Sequence, residues 1–482
     1  MRFKFRTSNE VTMGKTVSAF TNDALGNLDA TAVAEAIAKK EVSVKEVTDA
    51  AIARAEKANA DLNAIVIKAY DDAAKITGSN KGAFYGVPTF IKDNDNIKGY
   101  PTQLGTGSFN AKVAKKNSRF VDQLLSTGLN YLGKSSLPEF GLICSTENER
   151  WGVTRNPWNT DYTTGGSSSG SAALVASGVV PIATANDGAG STRIPAGCCG
   201  LVGLKPSRHR LVPMDGSQLM PLQIVYEGVL TRSVRDTALF YAEAEKFFHN
   251  PKLPKLGLVT DPIKKRLRIA FFANPAKEKL GHQDEDTQRV QKETAALLQS
   301  LGHTVEEVPL PYDIDHMGVH YINYYGFLAY MVSHWGNLVV KSKVDHSVLE
   351  PFTLGLSQQF KTNALQTPRS IGLLRKVGRE AETLFEKYDV IMSPVVSHAT
   401  PPIGHFSPEL SYEQVCRRAL EYASYAGLQN VTGSPAIALP LGEAGNGMPL
   451  GVHFSAPFGN DKLLLELAFE LEAAKPFKRI AQ

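Results

Sequence analysis

The chain carries no large excess of charge of either sign. Its 482 residues include 52 Lys and Arg against 48 Asp and Glu, which leaves a net charge of only +4. This balance lacks the strong basic signature of a nucleic-acid-binding protein. Long apolar runs are also missing, because no stretch approaches the roughly 20 residues needed to span a bilayer. The basic N-terminal segment lacks the apolar centre of a secretory signal peptide. We therefore expect a cytoplasmic protein that binds neither nucleic acid nor membrane.

Cysteine is scarce, with four residues in the whole chain. None of them has the Cys/His spacing of a zinc site, so the sequence predicts no metal. Such sparse cysteines are typical of reduced, buried thiols in a cytosolic protein. The four are Cys144, Cys198, Cys199 and Cys416.

The residues that are present describe an ordinary globular protein with a large core, since 43% are apolar and 21% are charged. Apolar strand patterns such as "VPTFI", "VVPIATA" and "LRIAFFA" alternate with helical patterns, which predicts an α/β class. Ser43, with Glu46 three residues later, predicts a capping box at a helix start. We expect residues 1–25 to form a loosely ordered arm and residues 26–482 to form one domain. Residues 146–166 are expected to be polar and irregular.

Two glycine-rich segments contain small hydroxyl residues, "TTGGSSSGS" at 163–171 and "NDGAGSTRIP" at 186–195. A flexible linker is disfavoured, because the first segment runs directly into an apolar helix pattern. A phosphate-binding loop is disfavoured because no P-loop or dinucleotide motif occurs in a strand–turn–helix setting. Residues 166–170 fit the nucleophile elbow G-x-S-x-G, but the preceding "RNPWNTDYTT" is not strand-like and no downstream histidine lies in a supporting motif. The remaining interpretation is a serine hydrolase whose base is not histidine.

A lysine is the candidate for that base. Lys92 closes the apolar run "VPTFI", a position where a charged side chain would be costly to bury. Burial lowers the pKa of a lysine, and a neutral lysine can accept a proton from a serine. The pattern therefore favours a serine–lysine pair.

Three ordered motifs together give a resemblance to a known family. They are "GVPTFIKDN" at 86–94, "GGSSSGS" at 165–171 and "DGAGSTRIP" at 187–195. With these motifs at these spacings, the chain resembles the amidase signature family over residues from about 28 to 475. The variant around the third motif looks closest to a branch that includes cyclic nylon-oligomer hydrolases. The resemblance implies one α/β domain with a large mixed β-sheet flanked by helices on both faces, and hydrolysis of a small-molecule amide, linear or cyclic.

The resemblance also implies a role for each motif residue. Ser191 would be the nucleophile, Ser167 would follow a cis peptide and act as a bridge, and Lys92 would be the base. The backbone N–H groups of the small residues before the nucleophile would form the oxyanion hole; these are Gly188, Ala189 and Gly190. Three more residues would support the site: Ser168, Asp187 and Arg193. No metal or cofactor would be required.

Two alternatives of other classes stay open. An A-type subunit of a tRNA-dependent amidotransferase shares this triad, and a non-catalytic family member would only bind its ligand. The sequence does not identify the amide, and it leaves a homodimer open. An aromatic-rich stretch is expected to be mainly core, with any pocket-lining members favouring an apolar or aryl acyl group. Its members are Tyr321, Tyr324, Tyr325, Phe327, Tyr330 and Trp335.

Overall fold

The computed structural model describes residues 14–75, 82–275 and 279–480. None of the helices in these ranges has the length and apolar character needed to cross a bilayer. The α-helices are α1 (Ala30–Ala38), α2 (Val44–Leu62), α3 (Tyr70–Ala73), α4 (Arg119–Ser126), α5 (Ser169–Ala176), α6 (Arg193–Cys199), α7 (Val234–Phe247), α8 (Glu285–Ser300), α9 (Ile314–His334), α10 (Gly336–Val339), α11 (Pro351–Asn363), α12 (Thr367–Glu382), α13 (Tyr412–Tyr422), α14 (Leu428–Thr432) and α15 (Asp461–Ala474).

The β-strands alternate with these helices along much of the chain, as the sequence pattern predicts for an α/β protein. They are β1 (Ile65–Lys68), β2 (Pro88–Lys92), β3 (Asn130–Ser135), β4 (Glu147–Asn148), β5 (Gly152–Val153), β6 (Arg155–Asn156), β7 (Asn159–Thr163), β8 (Ile182–Asp187), β9 (Val202–Lys205), β10 (Tyr226–Thr231), β11 (Arg268–Phe272), β12 (Thr304–Val308), β13 (Val390–Pro394), β14 (Ala436–Glu443) and β15 (Pro449–Ser455).

Eight strands form the main sheet in the order β12-β11-β13-β15-β14-β9-β10-β8. Strand β11 pairs in parallel with β12 and β13, whereas the pairs from β13 through to β8 are antiparallel. The sheet is therefore mixed, and helices including α5, α6, α7, α8 and α15 pack against its strands. The predicted large mixed sheet flanked by helices is confirmed.

A second, three-stranded sheet has the order β1-β3-β2, with β2 parallel to β3. Its strand β2 is tied to the main sheet, because the Lys92 backbone N–H donates to Thr184 Oγ1 of β8 at 2.8 Å. The end of β2 therefore lies against the strand that leads into the third sequence motif. Helix α5, which follows the second motif, packs against both β2 and β8.

Helix α5 can sit this deep because its residues are small. All eight of its residues are buried. At Gly170 a Cβ atom would lie 2.4 Å from both the Ala64 carbonyl oxygen and the Ser136 nitrogen, so only glycine permits this approach. The small-residue pattern "GSAALVA" thus brings the start of α5, with the two serines before it, into the centre of the molecule.

The predicted capping box is confirmed, since Ser43 and Glu46 exchange hydrogen bonds at the start of α2. Residues 146–166 differ from the expected irregular segment, because they form two small antiparallel pairs, β4 with β5 and β6 with β7. Three of these four strands have only two residues, which leave little periodicity for a sequence pattern to reveal, and the five residues of β7 show no alternation of apolar and polar residues.

Of the predicted loose arm, residues 1–13 lie outside the described residues. Residues 14–25 differ from the expectation, because they are held against the body. The Val17 N–H donates to the Pro157 carbonyl at 2.8 Å, the Ala19 N–H donates to the Ser177 carbonyl at 2.7 Å, and Leu25 is buried. The division of the chain into an arm and one domain stays a prediction.

Candidate active site

Lys92 ends strand β2 and is fully enclosed, with 1% of its surface exposed. Its ammonium donates to Ser167 Oγ at 2.8 Å and to Ser168 Oγ at 3.0 Å, and it also contacts Asn186 Oδ1. Burial lowers the pKa of Lys92 from 10.5 to about 7, although nearby carboxylates including Glu227 act in the opposite direction. A substantial fraction of Lys92 is therefore neutral near pH 7, and in that form it can accept a proton.

Ser167 and Ser168 lie immediately before helix α5. The peptide between Gly166 and Ser167 is cis, as expected from the sequence motif. Both hydroxyls point at the same ammonium, so the sequence-predicted Lys92, Ser167 and Ser168 are brought together. The next serine is used differently, since Ser169 Oγ donates to the Gly165 carbonyl at 2.7 Å and accepts from Thr146. Of the three consecutive serines, two face the lysine and the third stabilises the turn.

Ser191 lies in the loop between β8 and α6. Within the described parts of the chain its hydroxyl has no hydrogen-bond partner, and the residue lines an open cleft. The loop needs a glycine before this serine, because Gly190 has φ of +113° and a Cβ there would lie 2.6 Å from the Ala426 side chain. The end of β8 and a tight glycine turn thus present Ser191 at the cleft wall.

The N–H groups of this loop are not equivalent. The Gly190 N–H donates to Asp187 Oδ1 at 2.7 Å, so it is already in use. Among the described residues, the N–H groups of Gly188 and Ala189 have no hydrogen-bond acceptor. Two of the three predicted oxyanion donors are therefore unoccupied, and the third is engaged within the loop.

Arg193 and Asp187 form a buried ion pair under the loop, with both side chains fully enclosed. The guanidinium donates to both carboxylate oxygens, at 2.9 and 2.8 Å, and to Asn430 Oδ1 at 2.7 Å. Burial alone would raise the pKa of Asp187, but the Arg193 guanidinium and the Asn430 amide lower it further, so the net pKa lies well below its usual value. The pair fixes the loop that carries Ser191, and it does not reach the cleft.

His453 completes this buried network. Its Nε2 lies 2.9 Å from Arg193 Nη1 and its Nδ1 lies 2.9 Å from Ser393 Oγ. Burial, followed by the charge of Arg193, lowers the pKa of His453 well below its usual value, so the ring is neutral. A neutral ring accepts from Arg193 through Nε2 and donates to Ser393 through Nδ1. This histidine therefore has a structural partner and does not face a serine nucleophile.

The cleft beside Ser191 has an apolar lining. Helix α9 supplies much of this lining at helical spacing, with Ile314, Met317, Tyr321 and Tyr325 on one face. The aromatic stretch thus divides: Tyr321 and Tyr325 line the cleft, whereas other members such as Tyr324 pack in the core. The apolar lining of this cleft favours an apolar small-molecule group.

The structure adds residues that the motifs did not identify. Tyr321 Oη donates to the Gly188 carbonyl at 2.7 Å, which ties α9 to the predicted oxyanion loop. Asn186 contacts Lys92, and Cys144 lines the cleft. Asn186 directly precedes the third motif and could have been suspected from that position. Tyr321 and Cys144 are far from the motifs in sequence, so only the fold brings them to the site.

All four cysteines are free and buried, as the sequence predicts. Cys198 lies 3.1 Å from the Tyr422 hydroxyl, and burial raises the pKa of its thiol. Within the described ranges, no group of three or more His, Cys, Asp or Glu side chains is arranged to hold a metal ion.

The arrangement defines a class of protein, an α/β enzyme with a buried lysine and several serines beside an apolar cleft. A family profile for amidases matches residues 46–465. AmiC of Mycobacterium leprae, an amidase by name, is 46% identical over 466 residues, which cover 96% of this chain and 98% of that protein. The 6-aminohexanoate-cyclic-dimer hydrolase of Paenarthrobacter ureafaciens is 30% identical over an alignment that covers 93% of this chain and 95% of that protein. A solved structure of 6-aminohexanoate cyclic dimer hydrolase superposes with a TM-score of 0.86 at 28% identity, and the superposition covers 95% of this chain and 99% of that one. The chain therefore belongs to the amidase signature family, and it is an amidase.

Proposed function

We propose that this amidase hydrolyses a carboxylic amide through an acyl-enzyme on Ser191, with Ser167 and Lys92 as the proton relay. The observation that carries the proposal is the buried lysine, whose ammonium lies 2.8 Å from Ser167 Oγ and whose pKa is lowered by burial to about 7. A base that titrates near neutral pH is well matched to proton transfer at that pH.

In the first half-reaction, Ser191 Oγ attacks the amide carbonyl carbon. Its proton passes to Ser167 Oγ while Ser167 passes its own proton to the neutral Lys92. When the C–N bond breaks, the same relay returns a proton to the leaving nitrogen. A serine can act in both directions because its hydroxyl is both donor and acceptor. Water then attacks the acyl-enzyme, and the relay restores the Ser191 hydroxyl. These steps use no cofactor.

The relay requires Ser191 Oγ to donate to Ser167 Oγ in the substrate complex. Catalytic hydrogen bonds are often long in unliganded enzymes and tighten when substrate binds. The free Ser191 hydroxyl at the cleft wall is compatible with this requirement. Ser168 acts as a positioning residue, because its hydroxyl holds the Lys92 ammonium from a second side at 3.0 Å.

The loop before Ser191 is the proposed oxyanion hole, formed by Gly188, Ala189 and Gly190. The N–H groups of Gly188 and Ala189 are the donors that can bind a developing oxyanion directly. The Gly190 N–H would have to be shared with Asp187, to which it donates at 2.7 Å. In this proposal Asp187 and Arg193 keep the loop rigid, which preorganises the donors.

The proposed substrate is a small linear or cyclic amide with an apolar acyl portion. Support comes from the apolar cleft that Ser191 lines, and from relatives whose names include an acylamidase and a cyclic-dimer hydrolase. The buried, free cysteines agree with a cytoplasmic site of action. No nucleic acid is required by the proposed steps.

Covalent labelling tests the nucleophile. A fluorophosphonate probe should add to Ser191, located by mass spectrometry of the digest, and labelling should be abolished in Ser191→Ala. Ser169→Ala is the matched control, because this neighbouring serine is held within its own turn and should not be needed. Labelling at Ser167 or Ser169 in the wild type would overturn the assignment.

An assay of the purified single chain separates the remaining classes. Hydrolysis of apolar amides without tRNA or partner chains is the expected result. Activity that appears only with tRNA and additional subunits would indicate an amidotransferase subunit. Absence of both labelling and turnover would indicate a member that only binds.

A further inference from the structure

Glu227 is a buried carboxyl group that the mechanism above does not use. It lies on β10 with 3% of its surface exposed, and neither of its carboxylate oxygens accepts a hydrogen bond from another described residue. Other buried acids nearby are satisfied, since Asp187 is held by Arg193 and Asp95 Oδ1 accepts from Ser118 at 2.8 Å. An enclosed carboxylate without a donor is costly, so it must be balanced by a nearby cation or carry a proton.

Strand pairing places Glu227 beside the lysine of the relay. In the antiparallel pair of β10 and β8, Glu227 is directly opposite Asn186. Residues directly opposite each other share a face of the sheet and have neighbouring side chains. Asn186 Oδ1 in turn contacts Lys92 Nζ. The carboxyl group of Glu227 and the ammonium of Lys92 therefore flank the same asparagine.

The charged groups around Glu227 leave Lys92 as its main cationic neighbour. Burial raises the pKa of Glu227 well above its usual value, with Asp95 acting in the same direction and Lys92 in the opposite one. Arg208 lies in the same region, but its guanidinium is bound to Tyr226 Oη and the Val431 carbonyl. The titratable and charged groups that face Glu227 or its partner are Lys92, Asp95, Asp187, Arg208, His209, Asp215 and Tyr241.

Glu227 also lines a small cavity that is separate from the cleft beside Ser191. This cavity has room for about one water molecule. It is lined by Glu227 with Ser207, His209, Gln223 and Tyr226, and it shares no lining residue with the cleft beside Ser191. Several of these lining residues, including His209 and Gln223, are partly exposed.

We propose that Glu227 is a positioning residue for Lys92. The charge on Glu227 controls how strongly Lys92 holds its proton, and it thereby sets the pH at which the relay becomes active. The coupling is electrostatic, because Lys92 Nζ contacts Ser167, Ser168 and Asn186, and no described residue donates a hydrogen bond to the Glu227 carboxylate oxygens. A carboxylate at Glu227 favours the protonated form of Lys92, and protonation of Glu227 removes that effect. Two groups coupled in this way titrate as a pair. The inference rests on the proposed role of Lys92 as the base.

The pH dependence of kcat/KM for an apolar amide tests the inference. Because the Glu227 carboxylate favours the protonated form of Lys92, Glu227→Gln should move the acid limb to lower pH by about half a unit or more, a gain of about threefold in kcat/KM below the midpoint. Glu227→Asp keeps the charge and should return the limb toward its wild-type position. The matched control is Glu472→Gln, which removes a half-buried carboxyl group on α15 that accepts from the Val234 N–H. This control should leave the limb in place.

Two outcomes of the kinetic test would overturn the inference. One is a folded Glu227→Gln enzyme with an unmoved acid limb, and the other is a loss of activity by the same factor at every pH. The second outcome would show a purely structural role. Thermal unfolding of each variant identifies those that are folded.

A spectroscopic test decides the question if Glu227→Gln does not fold, and it does not depend on turnover. Infrared spectra of protein labelled with ¹³C-carboxyl glutamate report glutamate protonation apart from aspartate. Loss of the neighbouring cation in Lys92→Met should make one glutamate keep its proton to higher pH than in the wild type. Identical glutamate titrations in the two proteins would overturn the pairing. Full amide hydrolysis by Lys92→Met would instead overturn the proposed function.

Discussion

Replacing Lys92 by methionine is the perturbation that separates the proposed relay from a purely structural lysine. Methionine has a similar length and suits the buried site, but it can neither accept nor donate the proton. We expect kcat/KM of the wild type to rise with pH as the lysine becomes neutral around pH 7, and Lys92→Met should lose this rise. It should also lose amide hydrolysis more severely than activated-ester hydrolysis.

The magnitude follows from the burial of the ammonium. With the pKa of Lys92 lowered from 10.5 to about 7, about half of the lysine is neutral at pH 7. An unperturbed lysine would be neutral in only about one molecule in 3,000 at that pH. Positioned acid–base catalysis contributes about 10²–10⁴-fold. An amide needs both the base and the acid, because its nitrogen must be protonated before it leaves. An activated ester needs only the base, so the variant should lose ester hydrolysis by a factor about 10²-fold smaller than the factor by which it loses amide hydrolysis.

The assay compares a p-nitroanilide and a p-nitrophenyl ester that carry the same apolar acyl group, across the pH range, in wild type and variant. Lys205→Met is the matched control. Lys205 is also fully buried, but its ammonium donates to the Pro206 carbonyl at 2.9 Å and lies over the Tyr226 ring, away from the serines. This control should keep both the acid limb and the amide-to-ester ratio.

The reasoning would be refuted if Lys92→Met lost amide and ester activity by similar factors. That outcome would mean that Lys92 only holds the loops in place. Persistence of the acid limb in the variant would equally show that another group titrates.

Three further predictions concern stability and the proposed oxyanion loop. Arg193→Met leaves the Asp187 carboxylate unpaired and should cost about 3–5 kcal/mol in urea unfolding at pH 7. The pKa of Asp187 is held below its ordinary 3.8, so this contribution is present above that pH and lost as pH falls, and wild type and variant should converge in acid. A cost under about 1 kcal/mol at pH 7 would contradict the role of this ion pair. Tyr321→Phe removes the 2.7 Å hydrogen bond to Gly188, and it should cost about 0.5–1.5 kcal/mol and lower kcat more than it raises KM. A change confined to KM would limit Tyr321 to substrate binding. Finally, Lys92→Met should be more stable than the wild type near pH 7. The gain in the free energy of unfolding should be up to about 5 kcal/mol, reduced by the contribution of the hydrogen bonds that Lys92 makes and methionine cannot. Because the pKa of Lys92 is lower in the folded state than in the unfolded state, the wild type regains this stability as pH rises from about 7 toward 10.5. A difference in unfolding free energy that does not change with pH would contradict this prediction.

Much of the local structure could be predicted from the sequence because short-range physics determines it. The capping box at Ser43 and the strand that ends at Lys92 each depend on neighbours within a few residues. The helix of small residues after Ser168 is another such case. The two small antiparallel pairs within 146–166 were not predicted, since three of their four strands have only two residues and carry too little pattern.

The sequence by itself determined which residues could carry the chemistry. Lys92, Ser167 and Ser191 stand in three ordered motifs, and their spacing needs no coordinates to be read. The tertiary structure decided what surrounds them. The proposed oxyanion loop is tied to Tyr321, 133 positions away along the chain, and Glu227 lies across a strand pair from Asn186. Neither contact has a local signal, because a sheet register and a helix packing against a loop are set by the burial of the whole core. The pKa of Lys92 is decided at the same level, since burial lowers it, and burial is a property of the assembled fold rather than of the motif.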